Sequence, residues 1–242
     1  MNKLTKIIGI TMLVLVFVGA LANHYSAELS ICFMKNVSAT RSKAPQAYLI
    51  PETRPLVSTD MKTINSRENC LGLTFRTDWG IPSERKMAKS SIDLTYPAGK
   101  KISVIKNSGL ACFMLAYIKA GNQEYIDVAG EEQTAYGIVK PILEVTPENI
   151  QLFGPRETIN KQTARLIFKI INTPRCEKLY RLVNSNVDVL EYYGYSRENV
   201  GKGAVIDVAD NKGHFYQVMI IDPNLDQAEV EQIISTMYIE AK

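Results

Sequence analysis

An α+β fold with a mainly antiparallel sheet is predicted by three features of this 242-residue chain. Short stretches of alternating polar and apolar residues lie on both sides of a helical middle, turn residues separate them, and an amphipathic segment closes the C-terminus. The first alternating stretch is CLGLTFRTDW, where Leu71, Leu73, Phe75, Thr77 and Trp79 share one face of an expected strand. Next, SIDLTYPAGKKISVIKN alternates before and after Pro97-Ala98-Gly99-Lys100, the pattern of a hairpin whose glycine accepts a positive φ. LACFMLAYIK, residues 110 to 119, fits a buried strand or a short helix. With Gly121-Asn122 and EYIDV behind it, a second hairpin is the preferred reading.

Helical signals follow. Residues 131 to 145 read as a helix that Pro141 kinks or divides, and Thr146-Pro147-Glu148 starts another that Gly154-Pro155 closes. NKQTARLIFKIINTP places Ala164, Ile167, Ile170 and Ile171 at helical spacing and stops at Thr173-Pro174. Four strands are then expected, near 179 to 183, 187 to 193, 204 to 209 and 214 to 222, with Asp210-Asn211-Lys212-Gly213 as the last hairpin loop. The chain ends on a helix capped by Asp226, with Glu229 in its first turn and Val230, Ile233, Ile234, Met237 and Tyr238 along one stripe that packs on the sheet.

The expected organisation is a signal peptide or N-terminal membrane anchor at 1 to 27, an extended linker or arm at 28 to 67, and one α+β domain at 68 to 242. Lys3 and Lys6 precede an uncharged run, and Ala20 and Ala22 form an A-x-A cleavage pattern. No charge occurs between Lys6 and Glu28, a gap long enough for the ~20 residues of a transmembrane helix with its N-terminus in the cytoplasm. Both fates place the body outside the cytoplasm, anchored if the segment is kept and periplasmic or secreted if it is cut. Cys32 lacks the small preceding residue that lipidation requires, since Ile31 comes before it. Prolines 45, 51 and 55 make the arm extended.

Composition narrows the function classes. The net charge of +3 falls to +1 without Lys3 and Lys6, so no basic bias points to nucleic acid. Only His24 and His214 exist, and the cysteines at 32, 70, 112 and 176 have no C-x-x-C spacing. No metal site, cofactor motif or catalytic constellation is therefore assigned. In an oxidising compartment Cys112–Cys176 and Cys32–Cys70 are the disulfides considered. Gly201-Lys202-Gly203 reads as a loop without the phosphate-binding pattern, and Glu131-Glu132 and Asp207/Asp210 have ordinary acidic spacing. Asn36-Val37-Ser38 matters only in a glycosylating host.

The distinctive stretch is EYYGYSREN, where Tyr192, Tyr193, Tyr195 and Arg197 surround Gly194. Tyrosine and arginine beside a turn make a candidate surface for an envelope protein or glycan. The alternative is a strand end with alternate tyrosines in the core. The functional expectation is an exported, membrane-tethered envelope protein acting as a binding or structural module. An exported hydrolase using carboxylate or Ser-Lys chemistry is the first alternative, and a subunit of a membrane-associated assembly the second.

Overall fold

A computed structural model describes residues 44–56, 66–130, 134–150, 155–183, 187–197 and 201–240. They form an α+β fold with a mainly antiparallel sheet, as the sequence predicts. The strands are β1 Glu52–Pro55, β2 Ser66–Cys70, β3 Leu73–Thr77, β4 Glu84–Met87, β5 Ser91–Thr95, β6 Lys101–Lys106, β7 Lys178–Val183, β8 Asp188–Arg197, β9 Gly201–Ala209, β10 Phe215–Ile221 and β11 Tyr238–Ile239. The helices are α1 Leu110–Lys119, α2 Gln123–Val128, α3 Ala135–Leu143, α4 Arg156–Asn172 and α5 Gln227–Ser235. The main sheet runs β1-β7-β8-β9-β10-β6-β5-β4, and among the described residues its only parallel pair is β1 with β7. A smaller sheet, β11-β3-β2, lies apart from it in the hydrogen-bond pattern.

Period-two alternation sorts the sheet residues onto two cores. On one face, Ile102, Val104, Val189, Ile206, Val218 and Ile220 pack with Leu73 and Phe75 of the small sheet and with Val230, Ile233 and Ile234 of α5. On the other, Leu179, Leu190, Tyr192 and Val205 meet Leu110, Met114, Val139, Ile142 and Leu143 of the helices. Three layers result, and burial contributes about 1.5–3 kcal/mol for each large apolar side chain. Asp226 caps α5 by accepting from the Ala228 N–H, and Tyr238 lies past the helix in β11.

Several expectations are corrected. CLGLTFRTDW is the second half of a β2/β3 hairpin, because Leu71 and Gly72 both adopt positive φ and turn the chain between Cys70 and Leu73. Trp79 is half-buried beyond β3, edge-on to Tyr96 at 5.3 Å. LACFMLAYIK and QEYIDV are helices α1 and α2, joined at Gly121-Asn122, with Asn122 capping the second. Thr146 and Asn149 bond each other's backbone N–H in an isolated turn, and residues 151 to 154 lie outside the described residues. Gly201-Lys202-Gly203 opens strand β9. Part of the expected arm belongs to the packed body, since the 3-10 turn Pro45–Tyr48 rests on α4 and β1 pairs with β7.

Helix α4 exists where its periodicity places it, with the opposite face inward. Ile159, Thr163, Leu166 and Lys169 are buried, whereas Ile167 is 46% and Ile171 72% exposed. Thr163 donates to the Ile159 carbonyl and Lys169 to three carbonyls, so polar side chains satisfied by backbone fill the inner face.

Candidate functional site

The tyrosine stretch does not form one surface. Tyr192 is fully buried beneath the helices, with its hydroxyl directed at Asp207 Oδ2 at 3.5 Å, so it is withdrawn as a ligand contact. Tyr193 points to the opposite face, half-buried, and donates to the Leu225 carbonyl at 3.3 Å. Between Tyr193 and Tyr195 the register with β9 shifts at Gly194, whose φ of 73° and close approach to Glu177 suit only glycine. The side chains of Tyr195 and Arg197 lie outside the described residues.

The cysteines are also separated. Cys70, Cys112 and Cys176 are free thiols, so the Cys112–Cys176 bridge is not formed. Burial pushes the Cys70 and Cys176 thiols up to about 12, the environment of inert core thiols rather than nucleophiles. Cys32 lies outside the described residues, and with it the considered bridge to Cys70, as do Ala20 and Ala22. His214 stands at the β9/β10 turn with Nδ1 2.7 Å from Asp210 Oδ2, and the Asp210 carboxylate also accepts the Lys212 and His214 N–H groups. That arrangement closes a turn.

One half-buried carboxylate serves the architecture. Asp207, on β9, accepts from the Leu110 N–H at 2.9 Å and from Gln217 Nε2 at 3.0 Å. It thus caps α1 from 97 positions away in sequence, where Gly109 offers no side chain. Burial raises its pKa, opposed by the Leu110 N–H, Gln217 and Tyr192. The adjoining cavity measures about 20 Å³, room for one water and not for a substrate. A Cβ at Gly109 would lie 2.9 Å from Asp207 Cγ, on a backbone at φ 110°. Gly109→Ala is therefore expected to cost on the order of 2–4 kcal/mol in urea unfolding; a change below about 0.5 kcal/mol would mean the α1 start simply relaxes.

Elsewhere, Lys100 Nζ lies 2.6 Å from Glu229 Oε1 and 2.9 Å from Asp222 Oδ2, while Trp79 Nε1 donates to the same glutamate. This network ties the start of α5 to the β5/β6 turn. Among the described residues no group of three His, Cys, Asp or Glu side chains is arranged to hold a metal ion. None of their helices is long and apolar enough to cross a membrane.

The sequence reading missed a surface on the helical layer. Tyr117 of α1 stacks on Tyr125 of α2 at 4.3 Å, and Tyr125 meets Phe168 of α4 edge-on at 5.4 Å. Phe113, Tyr117, Ile126, Ile167 and Ile171 remain 36–72% exposed around these rings. Between α2 and α4 runs a groove of about 930 Å³, lined by Tyr125, Val128, Ala164, Ile167, Phe168 and Ile171 and edged by Glu124, Asp127, Arg156 and Lys161. Arg165 of α4 donates to the Val128 carbonyl at 2.9 Å, which caps the C-terminal end of α2 and ties the two helices together. The available signal was Ile167 and Ile171 on a helix whose inner face holds Lys169.

A contiguous exposed apolar face is a candidate contact surface, whereas isolated exposed apolar residues are ordinary. The sheet edges are poorer candidates: β4 carries exposed Glu84, Arg85 and Lys86, and β1 ends in Pro55. Comparison with known proteins supplies no assignment beyond these residues, since no family model, no curated protein and no solved structure matches the chain.

Proposed function

We propose that the chain is an exported, membrane-tethered binding or structural module that works by protein contact through the outer face of α1, α2 and α4. The carrying observation is the exposed aromatic and aliphatic surface around the α2/α4 groove. Lys3, Lys6 and the uncharged run behind them support export and attachment. The hydrolase reading draws no comparable support, because the Asp207 carboxylate is taken up by the Leu110 N–H and Gln217 and Glu191 is fully buried.

Membrane fractionation with mass spectrometry of the N-terminus tests the tether. Intact Lys3 and Lys6 in the membrane fraction are expected, and a soluble form beginning at Asn23 would refute attachment. Hydroxyl-radical footprinting tests the face. Phe113, Tyr117 and Tyr125 should be several-fold less oxidised in native membranes than in the detergent-purified chain diluted until it sediments as single chains, and equal oxidation in both would remove the contact surface from the proposal.

A further inference from the structure

The contact face carries its own complement. Along α4 the outward stripe reads Ala164, Ile167, Ile171, with a small side chain one turn before Ile167 and a large one a turn after it. Tyr125 faces Phe168 and the Val128 carbonyl faces Arg165, so α2 runs antiparallel to α4. That direction carries Glu124 to the Ile171 end of the groove, while Lys161 marks the other end.

We infer that the partner of this face is a second copy of the chain, docked about a two-fold axis that crosses α4 near Ile167; this rests on the reading that the face is a working contact. A two-fold axis matches each residue against its complement on the same patch. It lays α4 antiparallel to itself, sets the two Ile167 side chains together, and seats each Ile171 over the dip at Ala164 of the other copy. It also brings Lys161 of each copy toward Glu124 of the other.

Size sets the strength of this pairing. The 17 residues of α4 extend ~25 Å, and three neighbouring helices spaced ~8–10 Å apart give a width of ~20 Å. That footprint is ~500 Å² in projection, below the ~800 Å² per partner of a standard interface, so the pair is expected to be a reversible one. A lipid surface fits less well, because Asp127 and Glu124 flank Tyr125 and Ile126 and would be drawn into the bilayer with them.

Sedimentation equilibrium of the full chain in detergent tests the inference. The wild type should show the mass of two chains. Lys161→Glu and Glu124→Lys, both exposed positions, should each raise the dimer dissociation constant at least tenfold by opposing like charges twice. An equimolar mixture of the two variants should recover the two-chain mass, since each mixed pair holds one native contact and one reversed contact. A one-chain mass for the wild type, unchanged masses for the variants, or a mixture that fails to recover would each overturn the second copy as partner. If footprinting still shows protection in membranes, the contact face stands with a different partner; if it shows none, both proposals fall.

Discussion

Lys169→Met is expected to lower the unfolding free energy by about 3–5 kcal/mol. The ammonium is fully buried and donates to the carbonyls of Leu49, Leu143 and Val145 at 2.5, 2.6 and 2.8 Å. Burial pulls its pKa down to about 7, while the three carbonyls, which engage every N–H of an ammonium, hold the proton in place. Two of those carbonyls follow from the C-terminal end of α3, where a cation also meets the favourable end of the helix dipole. The third belongs to the chain leaving the 3-10 turn Pro45–Tyr48. Methionine would fill the volume and leave all three oxygens buried without donors. The loss should concentrate locally, so proteolysis near Ile50 should accelerate along with the fall in urea midpoint. A loss under 1 kcal/mol with unchanged proteolysis would show that the lysine is not the latch joining this segment to α4.

That latch also explains what was legible in the sequence. The β7 to β10 meander could be read because its strands are short runs of aliphatic and aromatic residues, and because the last turn brings its own chemistry, with Asp210 accepting two backbone N–H groups ahead of Gly213. Helix α1 could not, because its N-terminal hydrogen-bond partner is Asp207, almost a hundred residues away, and local capping signals are missing from Ser108-Gly109. In α4 the apolar period located the helix and inverted its face. Hydrophobicity alone ranks Ile167 and Ile171 as core, while a lysine with three carbonyl partners is a better core residue here than either.

The candidate site followed the same logic in reverse. Alternation within EYYGY already implied that Tyr192 and Tyr193 diverge, and burial of Tyr192 against Asp207 confirms it. The α2/α4 groove was invisible because its walls are 30 to 50 positions apart and one of them, EYIDV, fitted a strand equally well. Surfaces assembled from separate helices leave no local motif, only apolar residues on a face that packing elsewhere has turned outward.

Glu191→Gln should flatten a fall in stability that the wild type shows between pH 4.5 and pH 8. Glu191, on β8, is fully buried toward α5, and neither carboxyl oxygen has a hydrogen-bond partner among the described residues. Burial lifts its pKa from 4.5 to about 8, aided by Glu231 of α5 and opposed by Arg54 of β1 and Lys178 of β7. Across that window the unfolded chain releases the proton and the folded chain keeps it, so the folded state binds more protons and stability must drop as pH rises. At ~1.4 kcal/mol for each pH unit the drop is on the order of 4 kcal/mol. Glutamine cannot ionise, so the variant should unfold close to the wild type at pH 4.5 and be more stable than it at pH 8. Parallel urea midpoints at both pH values would mean that Glu191 ionises normally, with water or Arg54 reaching it in solution. Glu191→Met separates charge from polarity. By removing both unpartnered oxygens it should stabilise the fold at pH 4.5 as well, by about 1–3 kcal/mol, where the charge has already gone.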